Sequence, residues 1–395
     1  MKNEKSISFL LGAGFSANQG YPVGSTLNNL LLKCTGEEFV FHSMGGLAVV
    51  TKGEKPYKTS YDYNFEFCKE LFQYFNLKFG HFDYEEFYDF IQGEASKDSG
   101  VEEIAKKYIG THFNSVSDLL FGLKNILNQL LGFYLKDNEG LKYYDDQAYI
   151  IGESYYGYTG LLKSIKEFSK NNILNIHTLN HDLFLERLNH TDFFEGQLSD
   201  GFQEIGSPYY GELKTQGRSY KCRMEYYTGN YDSNIRLYKL HGSRDYGVYH
   251  GSEGAVMTPE NYIKTRWGIG FSEFYKEKLI NDKLTYERDW VNYHGDFLTG
   301  TTSKIERYNE PLLYKKLFEL FKQNLTNSGI LIIIGYGGKD SEINKMLFEN
   351  FDLKKKLCFI IDLYPSDKVH ELQSKLNAKL IVKNLNDITM DDFAV

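Results

Sequence analysis

Residues 6–27 read SISFLLGAGFSANQGYPVGSTL, an apolar run that feeds straight into Gly12-Ala13-Gly14. Ile7, Phe9, Leu10 and Leu11 form a short, nearly continuous apolar stretch, the pattern of a central parallel strand covered by helices on both faces. Gly12 and Gly14 then permit a tight turn. Ser16 and Asn18 offer further hydrogen bonds, and Gly20 and Pro22 punctuate the loop before a helical stretch over 26–33. A strand, a glycine turn and a helix in this order bring backbone N–H groups up to phosphates, so the segment predicts a dinucleotide, NAD, as ligand. Taken alone, Gly12-x-Gly14-x-x-Ala17 fits a structural turn as well as it fits a dinucleotide fingerprint.

Four more strand-like runs follow. Residues 173–182, ILNIHTLNHD, end in clustered polar groups, and residues 235–240, IRLYKL, close on His241-Gly242-Ser243. The run 330–334 opens into Gly335-Tyr336-Gly337-Gly338-Lys339-Asp340, and 357–361 ends in Asp362. Each releases glycine or polar residues at its carboxyl end, where open α/β sheets bind ligands. The expected fold class is therefore α/β, a Rossmann-like parallel sheet flanked by helices, with large, mainly helical insertions. The sheet core draws on residues 1–33, 171–200, 235–250 and 324–395. Helical spacing in 84–91 and 116–135 marks 34–170 as a helical insertion over the cleft. Residues 201–234, rich in Gly, Ser and Tyr, read as a loop or hairpin excursion, and 251–323 as a second helical contribution.

These motifs resemble the sirtuin family. Gly12-Ala13-Gly14-Phe15-Ser16 with Gly20 and Pro22 resembles the sirtuin glycine loop, Thr178-Leu179-Asn180-His181-Asp182 the family's Thr-Gln-Asn-Ile-Asp motif, and Leu240-His241-Gly242-Ser243 its catalytic-histidine motif. Gly335-Tyr336-Gly337 with Asp340 resembles the segment that contacts phosphates and the adenine ribose, and Asp362 stands where a strand-end polar residue meets that ribose. The motifs keep the family's order at both ends and in the middle of the chain. Two departures narrow the resemblance. Val23-Gly24-Ser25 replaces the Asp-Phe-Arg of deacylases, and Cys34, Cys68, Cys222 and Cys358 are scattered singly, so the paired cysteines of a structural zinc site are missing and no metal is expected. The chain is thus similar to the divergent bacterial sirtuin-like proteins of antiphage defence, which hydrolyse NAD.

That resemblance implies roles. His241 acts as general base on a ribose hydroxyl or on water, Asn180 positions the water or the ribose hydroxyls, and Asp182 fixes the loop or the nicotinamide carboxamide. Ser16 and the amides near Ala13 and Gly14 hold the diphosphate, with Gly12, Pro22, Thr178, Gly242, Ser243, Gly335, Tyr336, Gly337, Asp340 and Asp362 as further cofactor-binding positions. The implied activity is an NAD glycohydrolase that releases nicotinamide and ADP-ribose, depleting NAD in abortive infection. The alternatives are a protein deacylase or ADP-ribosyltransferase, and a noncatalytic nucleotide-binding subunit. With no sensor domain legible, control by assembly is expected: a homo-oligomer, completed by a HerA-type ATPase or a short Argonaute.

Other readings of single residues are weaker. His177 and His181 are four apart, a zinc spacing on a helix but here a strand end. Glu37 and Glu38 lie where a dehydrogenase places its ribose acid, but no strand precedes them. The 395-residue chain carries a formal charge of -8, which argues against a broad nucleic-acid surface. Its 32 Tyr and 29 Phe are read mostly as core. Four unpaired cysteines suit a reducing cytoplasm. The apolar run after Met1–Lys5 is short and interrupted by glycine, so export is not expected, and no run approaches the roughly 20 apolar residues of a membrane span.

Overall fold

A computed structural model describes residues 5–41, 46–49, 58–110, 112–135, 155–253, 256–266, 269–271, 274–288 and 294–394. Parts of the 34–170 and 251–323 segments therefore lie outside the described residues. The core is a seven-stranded sheet in the order Lys379–Ile381, Leu357–Ile361, Ile330–Ile334, Lys5–Leu11, Asn172–Thr178, Ile235–Lys239, Leu198–Ser199. Every pairing in it is parallel. This is the α/β, Rossmann-like architecture that the apolar runs predict. The chain builds outward from Lys5–Leu11 on one side, then returns to its other side with Ile330–Ile334, so the topological switch lies between those two strands.

Burial on both faces explains the unbroken apolar runs. Ile7, Phe9 and Leu11 pack with Leu161, Leu162, Ile165 and Phe168 of the Thr159–Ser169 helix. Leu10, Leu331 and Ile333 face Leu317, Phe318, Phe321 and Leu325 of Tyr314–Asn327. The register sets the ends level: Leu11 pairs with both Thr178 and Ile334, and Thr178 with Lys239. Gly12, Asn180, His241 and Gly335 consequently emerge together at one edge.

The 34–170 insertion has its own aromatic core, built from Phe65, Phe67, Phe72, Phe75, Phe87 and Phe90 among others, and Leu27 and Leu31 of the Gly24–Lys33 helix join it to the sheet domain. Its helix starts are capped as their sequences direct. Thr59 and Asp62 form a capping box, and Asp83, Asp98 and Ser115 accept N–H groups of the first turns.

The second helical contribution is corrected. Within 251–323, Val256–Lys264, Phe274–Ile280 and Lys283–Glu287 are strands, and helices occur at Ser303–Arg307 and Tyr314–Asn327. The excursion at 201–234 supplies their partners. Tyr209–Thr215 pairs with Phe274–Ile280, and Tyr226–Asn230 with Val256–Lys264, giving two four-stranded sheets. Part of their pairing is to segments distant in sequence, and the half-exposed charged strands carry no strict alternation, so local spacing misreads them. A local signal existed at Asn281-Asp282, whose φ values of 49° and 61° make the tight hairpin turn. Among the described residues no helix is long and apolar enough to cross a membrane.

Candidate active site

A cleft of about 710 Å³ opens at the carboxyl end of the sheet, beside the switch point. That is where doubly wound sheets bind ligands, and the volume suits a cofactor-sized molecule. Gly12, Ala13 and Gly14, the 22–25 loop, Asn180 to Asp182, His241, and Gly335 to Gly337 with Asp340 line it. The insertion helix Tyr84–Gly93 forms a further wall through Tyr84, Glu85 and Glu86.

The glycines at the base serve packing first. The Gly12 N–H donates to Ile334 O and the Gly14 N–H to Gly335 O, both at 3.0 Å. A Cβ on Gly12 would stand 2.7 Å from Gly335 O, and one on Gly335, whose φ is +58°, would stand 2.4 Å from Phe15 N. The two strand-end loops thus pack backbone to backbone, as only glycine allows. This bears on the expectation that amides near Ala13 and Gly14 hold a diphosphate, because the Gly14 N–H is already paired. The Gly24–Lys33 helix offers an alternative, since its start has no side-chain cap and Val23, Gly24 and Ser25 face the cleft.

Asn180 is tied into the same loop. Its Nδ2 donates to Gly12 O and to Ser16 Oγ, each at 3.0 Å, and its backbone N–H donates to Thr178 Oγ1. With both amide hydrogens committed, only Oδ1 is left to meet a ligand. Ser16 and Thr178 do not line the cleft, and act by holding Asn180. Asp182 reaches the cleft, while its Oδ1 accepts the Phe184 N–H at 3.0 Å.

His241 is buried, and its Nε2 has no hydrogen-bond partner although it stands 3.7 Å from Asp340 Oδ2. Burial, reinforced by the Lys304 ammonium, holds its pKa well below the usual histidine value despite the opposing Asp340 carboxylate. The ring is neutral at pH 7, a base with its lone pair unspent. His181 lies with its ring 6.4 Å away and is pushed down to about 4 by burial. His177, outside the cleft, is bonded at both nitrogens, by Phe9 O and Asn324. No metal-holding group of His, Cys, Asp or Glu occurs among the described residues.

Asp340 divides its oxygens between two tasks. Oδ1 caps the Ser341–Asn350 helix by accepting the Glu342 and Ile343 N–H groups at 3.1 Å, and Oδ2 faces His241 and, at 2.8 Å, Lys304. Burial raises its carboxyl, but Lys304, through its charge and its hydrogen bond, and the Ile343 N–H outweigh that and leave it below the ordinary range. Tyr336 fixes this loop by donating to Asp340 O and Asn344 Oδ1. Gly242 and Ser243 lie outside the cleft lining. Gly242 takes φ +82° against Asp296, and the Ser243 hydroxyl is buried without a partner. Asp362 also lies apart, accepting the Tyr364 N–H.

Sequence reasoning missed Lys304 and Glu85. Lys304 is 5% exposed and pairs with Glu85 at 3.3 Å as well as with Asp340. In sequence Glu85 looks like any acid in a first helical turn, and Lys304 stands in no motif. Asp89, one turn after Glu85, accepts hydrogen bonds from the backbone and hydroxyls of Thr301, Thr302 and Ser303. Burial raises the Asp89 carboxyl, but these donors dominate and bring it down to about 2. Because the folded value lies below the unfolded one, its stabilisation is present above about pH 4 and is lost as pH falls towards 2. Asp89→Ala is expected to destabilise the fold by about 1–2 kcal/mol. Chemical denaturation at pH 7 and pH 3 should show the gap between variant and wild type narrowing on acidification.

No family model matches the chain, and no curated protein matches it. Among solved structures, one described as "Structural Basis for the Mechanism and Regulation of Sir2 Enzymes" aligns over 97% of this chain and 89% of that chain, with 12% identity and a TM-score of 0.34. That similarity is too low to assign a role to any residue of the site.

Proposed function

We propose that the cleft binds NAD and cleaves its nicotinamide–ribose bond with water, giving nicotinamide and ADP-ribose. The observation that carries this reading is the buried, neutral, unpartnered Nε2 of His241, level with the glycine loop at the switch point. An unsatisfied imidazole nitrogen in a cleft costs stability that a ligand hydroxyl can repay.

Nicotinamide departs as a neutral base while the ribose carbon gains oxocarbenium character. The electron pair of the breaking C–N bond leaves with nicotinamide, and a water oxygen forms the new bond to that carbon. His241 takes the water's proton as the bond forms, either directly or through a ribose hydroxyl that passes its own proton to His241 and is reprotonated by the water. Asn180 Oδ1 accepts the water's other hydrogen, its plane fixed by Gly12 and Ser16. The uncapped start of the Gly24–Lys33 helix receives the diphosphate.

Purified protein incubated with NAD is expected to release nicotinamide and ADP-ribose in equal amounts, and Asn180→Ala to release far less. Thermal stabilisation by NAD without either product would reject hydrolysis in favour of a deacylase or a nucleotide sensor. The antiphage role, with control through a homo-oligomer joined by a HerA-type ATPase or a short Argonaute, rests on the motif resemblance. Light scattering that shows only monomer, with and without those partners, would remove it.

A further inference from the structure

Four charged or titratable groups stand in a row, each from a separate segment of the chain. Glu85 of the insertion helix lies 3.3 Å from Lys304, Lys304 lies 2.8 Å from Asp340, and Asp340 lies 3.7 Å from His241 Nε2. We propose that Lys304 is a positioning residue for the hydrolysis, neutralising Asp340 so that His241 stays an unprotonated base, and that the helical insertion holds Lys304 there. The role depends on the reading of the cleft as a hydrolase site, but the electrostatic claim can be tested without turnover.

Geometry makes the case. Glu85 and Asp89 are four apart on one helix, hence on the same face. Asp89 clamps residues 301–303, the start of the Ser303–Arg307 helix, and Glu85 meets Lys304 in its first turn. One helix face therefore fixes both where the Lys304 helix begins and where its ammonium points. The half-buried Asp340 carboxylate beside the imidazole would otherwise favour its charged form. With Lys304 beside it, Asp340 is balanced and the ring keeps its lone pair. Burial of Glu85 raises its own carboxyl while Lys304 opposes that, and the two carboxylates together keep Lys304 protonated despite its burial.

The other groups facing His241 do not replace Lys304. His181, from the Asn172–Thr178 strand end, is neutral for its own reason of burial, and Asp182 gives its Oδ1 to the Phe184 N–H. Lys339 lines the cleft but is exposed, so water screens it.

The test is the titration of His241, followed by NMR in NAD-free protein with ring-labelled histidine and assigned by His241→Gln. In Lys304→Met the His241 pKa is expected to rise by about one unit or more. Lys304→Arg should return it towards the wild-type value. In an Asp340→Asn background, which retains a helix-capping side chain, Lys304→Met should shift His241 much less than it does beside the native Asp340, if Lys304 acts through Asp340. In the hydrolysis assay the acid limb of kcat/KM should move up in pH by the same amount. An unchanged His241 titration in folded Lys304→Met, or a shift by Lys304→Met that is as large in the Asp340→Asn background as beside native Asp340, would overturn the proposal. Should Lys304→Met fail to fold, Lys304→Gln with the same Asp340→Asn partner gives the same comparison. Failure of wild-type hydrolysis with the titration as expected would reject the hydrolase reading and leave the charge relation intact.

Discussion

His241→Ala is expected to lower NAD hydrolysis by about 10²–10⁴-fold, the usual span for loss of a positioned general base. The side chain is buried and its Nε2 carries no internal hydrogen bond, so little of the fold depends on that nitrogen. The loss should fall on kcat, with NAD still raising the melting temperature of the variant. Initial rates of nicotinamide release beside thermal melts with and without NAD separate the two effects. His241→Gln, which keeps more of the bulk, should be similarly inactive, since an amide is not a base in this range. Retained activity in both variants would remove His241 from the chemistry. The pH dependence gives a second check. His241 must be neutral to act, and its pKa lies below 6.5, so the acid limb of kcat/KM should also lie below that value.

Gly335→Ala carries the largest expected effect on the fold. Gly335 sits at φ +58°, and an added Cβ would stand 2.4 Å from Phe15 N and 2.7 Å from the Gly14 Cα. Backbone cannot step aside as a flexible side chain can. The left-handed conformation costs a non-glycine residue about 1–2 kcal/mol, and overpacking adds about 1–3 kcal/mol, so a total near 3 kcal/mol is expected. Because the clash separates the glycine loop from Gly335, Asn180 would lose its registry with Gly12 and Ser16 as well. Denaturant unfolding should show the loss of stability, and activity per folded molecule should also drop. A variant within about 0.5 kcal/mol of wild type would mean that the two loops are not held as tightly as their N–H to O contacts imply.

How far the sequence reads into this site differs from residue to residue. The sheet core is legible because parallel strands buried on both faces are nearly continuous in apolar residues, and the runs at 7–11, 173–176, 330–334 and 357–361 are, with Ser8 and Asn175 as the polar exceptions. Gly12 and Gly335 are also legible, since each directly follows such a run, and Asn180 and His241 because each stands two residues past the end of a strand. The antiparallel strands of Val256–Lys264, Phe274–Ile280 and Lys283–Glu287 are not, because their stabilising partners include segments some 30 to 70 residues away and their charged faces suit a helix equally well.

The sequence by itself determined the doubly wound sheet, its glycine turns, and the strand ends at which polar residues emerge. These follow from local rules: apolar period, glycine at a tight turn, polar groups where a strand leaves the core. Tertiary structure alone decided which N–H groups remain free, and it spent those of Gly12 and Gly14 on Ile334 and Gly335. It also decided that Lys304 stands between Glu85 and Asp340, residues more than 200 positions and 36 positions away. Charge pairing depends on distance in space, and burial raises its strength by removing water. Neither quantity is written in the spacing along a chain.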